Sequence, residues 1–252
     1  MRSRARHYTR AMRVPKKAAE RVSGKPVKKS ASTEVEVKLT VHDRQAVSRA
    51  LKRLKATAGP RMHEMNTLYD TPTGALAGEG RLVRIRVLHA VTPRKTDKSS
   101  RMVPVGAVLT YKGPVRGDGA ARLGLGARYK IREEHELRVE DGEALARVFQ
   151  GMGLQPSFRY EKYRTTFRLS RVQGVVVELD ETPIGDFLEL EGDPTAIDRA
   201  AAALGYSRAD YITKSYGELF IEHLRRSQRR DTASFDLSLA ARTADMLFPR
   251  QE

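Results

Sequence analysis

The sequence predicts an α+β domain, mainly antiparallel β, in which a sheet closes on itself as a barrel and helices pack against its outside. Three observations lead there. Several segments alternate strictly between charged and apolar residues, the period of a strand with two unlike faces. Segments with apolar residues at helical spacing follow two of them and supply cover for the apolar faces. The strand–helix unit also recurs about 100 residues further along the chain, which implies pseudo-duplicated halves.

Alternation begins after Thr33 with Glu34-Val35-Glu36-Val37-Lys38-Leu39-Thr40-Val41. Asp43 is the expected N-cap of a helix whose Val47, Ala50, Leu51 and Leu54 form one stripe, with Gly59-Pro60 as its stop. In the second copy Glu134 to Val139 alternate likewise, Asp141 is the expected cap, and Leu145, Val148, Phe149 and Met152 form the stripe before Gly153. Leu82–Val87 is matched with Glu161–Phe167, each a basic strand, and Val108–Lys112 with Val175–Asp180. A strand over Phe187–Glu191 precedes a helix capped by Asp193, with Pro194 at its first position, Ile197, Ala200, Ala201 and Leu204 as its stripe, and Gly205 as its stop. Ser215 and Glu218 have the spacing of a capping box ahead of Leu219, Phe220 and Leu224. Residues 88–106 and 113–127, rich in Gly, Pro, Arg and Lys, read as mobile loops. Residues 228–252 carry no clear period; Phe235, Leu237, Leu239 and Met246-Leu247-Phe248 fit either an added amphipathic segment or nothing regular.

The 252 residues fit one ordinary domain. The absence of cysteine excludes a disulfide framework, a thiolate zinc site and a cysteine nucleophile, so a metal would have to sit on oxygen or imidazole. No apolar run approaches the roughly 18 residues a membrane helix needs, and no apolar signal segment follows the basic start. A cytoplasmic protein is expected. The net charge of +16 is uneven: residues 1–33 hold eleven Lys or Arg against the single acid Glu20, a charge of +10, which leaves +6 for the rest. Residues 1–32 therefore read as a disordered basic extension and 33–227 as the folded domain. An electrostatic arm for polyanions is the functional alternative for that extension.

Parity along the strands groups Glu34, Glu36 and Lys38 on one face, Arg84 with Arg86, and Thr110 with Lys112. It also groups Arg132, Glu134, Glu136 and Arg138, then Lys162, Arg164 and Arg168, then Glu178 with Asp180, and Glu189 with Glu191. Any one of these is explained by a wet outer face. Seven together are not, because they concentrate acids and cations with few neutral residues while the opposite faces are apolar enough to take the helices. Closure then turns both signs inward. Burying charge costs on the order of several kcal/mol per ion, so stability alone does not select such a lining. A ligand that needs both signs does: a triphosphate takes Lys and Arg for its oxygens, and Mg²⁺ or Mn²⁺ takes carboxylates. With almost no nucleophilic side chain on these faces, attack by water or by a substrate hydroxyl is expected, without a covalent enzyme intermediate. His135 falls on the apolar-facing parity and reads as structural.

Glu34-x-Glu36-x-Lys38 is a weak signal alone, because charged strands are common. Eight further elements follow it in order: Tyr69-Asp70-Thr71-Pro72, Leu82-x-Arg84-x-Arg86, Leu109 to Pro114, Arg132-Glu133-Glu134-x-Glu136, Glu161 to Arg164, Glu178 to Glu181, Gly185-x-Phe187-x-Glu189-x-Glu191 and Lys214-Ser215-Tyr216. From about Thr33 to Leu224 the chain resembles the CYTH group, the triphosphate tunnel metalloenzymes, which include class IV adenylate cyclases, thiamine triphosphatases and inorganic triphosphatases. The resemblance implies a closed eight-stranded tunnel barrel. It implies triphosphate contacts from Lys38, Arg84, Arg86, Lys112, Arg132, Lys162, Arg164 and Lys214. Glu34, Glu36, Glu189 and Glu191 would hold a principal Mg or Mn ion, with Glu178 beside them. Asp180, Glu134 and Glu136 would position a second metal or the attacking water.

The leading expectation is a metal-dependent phosphohydrolase acting on inorganic triphosphate, thiamine triphosphate or a nucleoside triphosphate. The alternative is a class IV adenylate cyclase converting ATP to cyclic AMP and pyrophosphate. A second alternative, from another class, is a non-enzymatic polyphosphate or nucleic-acid binding protein that uses its basic arm. The expected partner is a triphosphate-containing small molecule and no membrane; nucleic-acid or polyphosphate contact by the arm is the less favoured reading, and a homodimer is left open.

Overall fold

β1 (Ser32–Thr40) opens a ring of eight strands, followed by β2 (Ala56–Asp70), β3 (Leu82–Pro93), β4 (Ser100–Lys112), β5 (Lys130–Val139), β6 (Gln155–Leu169), β7 (Val175–Thr182) and β8 (Gly185–Gly192). The structure, a computed structural model, describes residues 32–93, 100–115, 128–228 and 245–248. The basic extension over residues 1–31 lies outside the described residues, as do Phe235, Leu237 and Leu239. The strands hydrogen-bond as a closed barrel in the order β1-β5-β4-β3-β2-β6-β7-β8, and every neighbouring pair is antiparallel. Replacing β1 to β4 by β5 to β8, and the reverse, returns the same ring read backwards, as two related halves require.

That relation corrects the strand matching expected from sequence. By order in each half, β6 is the counterpart of β2, β7 of β3 and β8 of β4, so the match of Leu82–Val87 with Glu161–Phe167 is displaced by one strand. The displacement arises because β2 is hard to see: Gly59, Pro60, Met62, Met65 and Asn66 give it little of the β-branched character that marks strands. Gly59-Pro60 is not a helix stop. Helix α1 (Arg44–Arg53) ends earlier, through Lys55 at φ +50°, and Gly59-Pro60 falls inside β2, where the register with β6 shifts between Ala58 and Arg61. The loop expected over 88–106 is also largely sheet. β3 and β4 run on as a hairpin in which Ala90 pairs with Val103 and Thr92 with Arg101, and Pro104 is accommodated beside a bulge at Leu88/His89. Residues 94–99 and 116–127 lie outside the described residues.

The helices form where their caps direct, and their expected stripes turn inward except at Val148 and Met152, which are exposed. Asp43 accepts from the amides of Gln45 and Ala46 at 2.7 and 3.0 Å to start α1. A short α2 (Ala75–Gly78) follows β2, and Asp141 caps α3 (Gly142–Gly151) through Ala144 N–H at 2.9 Å. Asp193 caps α4 (Pro194–Leu204), which stops at Gly205, φ +95°. Ser215 and Glu218 exchange bonds of 2.7 and 3.3 Å at the head of α5 (Tyr216–Gln228). α1 and α4 bury Val47, Leu51, Ile197 and Leu204 against the outward residues Val37, Leu39, Val177, Leu188 and Leu190 of the barrel. α3 covers Tyr69, Ile85 and Ala107 with Phe149. Leu219 and Phe220 of α5 join Tyr216 on a cluster of Leu68, Phe158, Tyr160 and Phe187 near the ends of β2, β6 and β8. From the C-terminal stretch, Asp245–Phe248 lies along β6: Met246 exchanges backbone bonds with Arg159 and Glu161 at 2.8 and 2.9 Å and is fully buried.

The end of β8 is held by a close backbone approach. Gly192 has φ +151°, and a Cβ there would stand 2.1 Å from the Gly174 carbonyl oxygen, which also accepts the Asp193 amide at 2.9 Å. Gly192→Ala is expected to cost roughly 2–4 kcal/mol from backbone strain and overpacking. Thermal melting checks this: a fall in Tm of roughly 5–12 °C is expected, and an unchanged Tm contradicts the packing described.

Candidate active site

In an antiparallel ladder, directly opposed residues share a face, so the register fixes what lines the lumen. Starting at β1, Glu34 faces Arg132, and Glu36 faces both Lys130 and Glu191. Lys38 faces Glu189, which faces Glu178 and then Thr166. Asp180 faces Arg164, Lys162 faces Glu64, and Asn66 faces Tyr160 and Arg86. Arg84 faces Thr110 and Thr110 faces Glu136, while Lys112 faces Glu134. One continuous inner face therefore carries acids and cations from all eight strands, while α1, α3 and α4 cover the outside.

The inward charges compensate one another at short range. Asp180, fully buried, accepts from Lys162 Nζ at 2.8 Å, from Arg164 at 2.6 and 2.7 Å, and from the Tyr216 hydroxyl at 2.6 Å. Arg164 also contacts Glu178 and Glu189. Lys38 Nζ stands 3.1 Å from Glu36 and 2.9 Å from Glu189. Lys112 Nζ meets both oxygens of Glu34 at 2.6 and 2.7 Å and lies 3.4 Å from Glu134. Lys130 Nζ is 3.3 Å from Glu36. Arg84 donates to the Tyr160 hydroxyl and to Thr110 Oγ1, both at 3.0 Å, and lies 3.7 Å from Glu136.

These contacts outweigh burial for some groups and lose to it for others. Burial drives the Glu36 carboxyl upward, yet Lys38, Lys112 and Lys130 hold it below the ordinary carboxylate range. Glu189 is likewise held low by Lys162, Lys38 and Arg164 against its burial. Glu178 goes the other way, up to about 7, because burial and the nearby Asp180 and Glu189 exceed the pull of Arg164. Burial with Glu34 and Glu136 raises Glu134 to about 7 against Lys112.

Several expected residues stand differently from their expected surroundings. Lys214 takes no part in the inner charge pairs described above: its side chain is 49 % exposed, contacts Glu222 of α5 and borders a cleft with Thr40, Phe187 and His223. Arg132 faces inward, but its guanidinium is engaged by the carbonyls of Gly113 at 2.8 and 2.9 Å and of Gly80 at 3.0 Å, pinning two connections. Glu136 is the most open of the acids expected to act, with its side chain 36 % exposed, and Arg138 and Arg168 are exposed at strand ends. His135 is on the outer face as its parity requires, but it is exposed and bonded to Glu133 at 2.7 Å instead of being packed in a core.

The lumen also holds residues that the motifs did not single out. Glu64 and Asn66 come from the unrecognised β2, and Asn66 Oδ1 accepts from Arg86 Nε at 3.1 Å. Lys130 and Tyr160 lie two residues before Arg132 and Lys162, so extending the same parity by one step would have found them. The ring of Tyr216 lies 5.3 and 5.0 Å from the ammonium groups of Lys38 and Lys162.

Among the described residues, no group of three or more acidic or imidazole side chains stands ready to hold a metal ion. The physical reason is visible in the pairing: Lys38 sits between Glu36 and Glu189, and Arg164 between Glu178 and Glu189, so side-chain cations take the positions where an ion would bridge those acids. The donor chemistry does fit a hard divalent ion, since the adjacent positions 36, 178, 189 and 191 all carry carboxylates.

A family model of the CYTH domain matches residues 32–216. No curated protein matches the sequence. Among solved structures, a protein from Pyrococcus horikoshii is similar with a TM-score of 0.57 and 21 % identity, covering 75 % of this chain and 98 % of that one. A candidate adenylate cyclase from Vibrio parahaemolyticus gives a TM-score of 0.56 at 19 % identity, covering 76 % and 99 %. A candidate adenylyl cyclase from Hippeastrum, described as having a dominant triphosphatase activity, gives 0.50 at 18 % identity, covering 81 % and 98 %. None of the helices in the described residues is long and apolar enough to cross a membrane. With the family model spanning the whole barrel from β1 to the start of α5, the chain belongs to the CYTH domain family.

Proposed function

We propose that the protein is a divalent-metal-dependent enzyme that binds a triphosphate in its lumen and hydrolyses the terminal phosphate. The observation that carries this reading is the two-sign lining: Lys162 and Arg164 of β6 stand against Glu178 and Glu189 of β7 and β8, Lys38 stands between Glu36 and Glu189, and Arg84 and Arg86 of β3 face the same lumen across β2. In this reading the cations exchange their carboxylate partners for phosphate oxygens, and the carboxylates so released hold Mg²⁺ or Mn²⁺. Glu34, Glu36, Glu189 and Glu191 would hold it, with Glu178 beside them. Such an ion supplies Lewis acidity toward the phosphate oxygens.

The remaining steps belong to the chain's own residues. Arg84, Arg86, Lys162 and Arg164 grip and orient the phosphate chain, which is most of what phosphoryl transfer asks of a protein. Asp180 keeps Lys162 and Arg164 in place through its three partners. Glu134 and Glu136 supply carboxylates to take a proton from water, and a Glu134 carboxyl raised to about 7 is suited to that exchange near neutral pH. Hydrolysis asks only for water at the terminal phosphorus, whereas cyclisation of ATP also asks for a pocket that folds the ribose onto the α-phosphorus. Both reactions would use the charged lining, and the hydrolase is preferred because it asks for nothing beyond it. Residues 1–32 are proposed as an extension that takes no part in this chemistry.

Two measurements test the reading. Purified protein supplied with ATP, thiamine triphosphate or tripolyphosphate plus Mg²⁺ or Mn²⁺ is expected to release inorganic phosphate from at least one of them; cyclic AMP with little free phosphate would overturn the hydrolase preference. Glu34→Gln combined with Glu36→Gln is expected to lower metal-dependent turnover by about a hundredfold or more while the far-ultraviolet spectrum is kept. Tighter phosphate binding with no activity to lose would favour the non-enzymatic binding protein instead.

A further inference from the structure

β2 delivers an acid into the cationic half of the lumen. Glu64 is 3 % exposed and directly opposes Lys162 in the β2–β6 ladder. Its Oε2 lies 3.4 Å from Arg86 Nε and 3.6 Å from Lys162 Nζ, and its Oε1 lies 3.4 Å from Arg86 Nη1. Arg84 and Arg164 are near enough to act on it electrostatically as well. These contacts are looser than those around Asp180, where the same Lys162 and Arg164 close to 2.8 and 2.6 Å. The Oε2 atom is buried and makes no hydrogen bond among the described residues. A carboxylate that is shut off from water, ringed by four cations and saturated by none of them has the surroundings of a bound phosphate oxygen.

We propose that Glu64 is an internal counter-anion standing in the path of the phosphate chain, which competes with polyphosphate for Arg86 and Lys162 and so sets how tightly the lumen holds it. The inference rests on the reading that these cations grip phosphate. Without ligand, Glu64 keeps Arg86 and Lys162 arranged and partly neutralised. When phosphate enters, it meets a fixed negative charge at close range, which weakens binding. After the reaction, the same carboxylate takes the cations back as anionic product departs. Glu64 is thus an affinity-setting residue that touches neither water nor metal in the reaction.

The test is calorimetric binding of tripolyphosphate to the full chain, without and with Mg²⁺, for wild type, Glu64→Gln, Glu64→Ala and Glu64→Asp, with thermal melting of each. The two neutral variants are expected to bind about tenfold tighter or more, while Glu64→Asp, which keeps the charge, stays near wild type. In turnover, KM falls in the neutral variants without a rise in kcat, and inhibition by inorganic phosphate strengthens. Should Glu64→Gln fail to fold, Glu64→Ala carries the same comparison. Wild type that binds, beside neutral variants that bind equally or more weakly, overturns the inference alone. Loss of Mg²⁺-dependent affinity in the neutral variants also overturns it, by making Glu64 a metal ligand. Wild type that binds no tripolyphosphate overturns the parent reading and this inference with it.

Discussion

Compensation of charge inside a closed sheet is the constraint from which the rest of this molecule follows. An isolated carboxylate or ammonium group taken out of water costs on the order of several kcal/mol, and the lumen holds many of each. The arrangement stands because each sign lies within contact distance of the other. Asp180 is the clearest case: it has no exposure and is satisfied by Lys162, Arg164 and Tyr216 together. β1 shows the pattern, its acids meeting cations of β4 and β5 on one side and acids of β8 on the other. In the proposed reading the same compensation would let a polyanion and a divalent cation arriving together replace internal partners with others of the same sign.

The outside of the barrel makes the inside affordable. Outward parity puts Val37, Leu39, Val177, Leu188 and Leu190 against α1 and α4, and Ile85 and Ala107 against α3, so apolar burial comes from the helix-covered face. α5 is the exception in kind. Its Tyr216, Leu219 and Phe220 pack on Phe158, Tyr160, Phe187 and Leu68, residues on the inner parity, so an aromatic cluster covers the lumen near the ends of β2, β6 and β8. Tyr216 joins the two regions, with its ring in the aromatic cluster and its hydroxyl on Asp180.

Period-2 alternation made most of the inner face legible in the sequence, because β1, β5 and β8 write charge and apolar residues in strict order. The helix caps were equally plain: Asp43, Asp141, Asp193 and the Ser215–Glu218 pair all accept the bonds their positions suggest. β2 was not legible. Its Gly59-Pro60 looks like a helix stop, and His63 and Met65 fill alternate positions that a clean strand would give to β-branched residues, so Glu64 and Asn66 were hidden with it. Chain distance hid other features. No local pattern announces that the Arg132 guanidinium is claimed by the carbonyls of Gly80 and Gly113, or that Lys214 pairs with Glu222 on the helix that follows it. Parity fixes a face, but it does not say which partner a long side chain will find.

The central claim is that the inward cations and acids form one binding site for a triphosphate and its metal. Diffraction from crystals grown with tripolyphosphate and Mn²⁺ tests it most directly, through the anomalous signal of manganese. The account predicts manganese among the carboxylates at positions 36, 189 and 191, with phosphate oxygens within hydrogen-bond distance of Arg84, Arg86, Lys162 and Arg164. Phosphate bound on the outer surface, with Lys38 still between Glu36 and Glu189 and no manganese in the lumen, would contradict it.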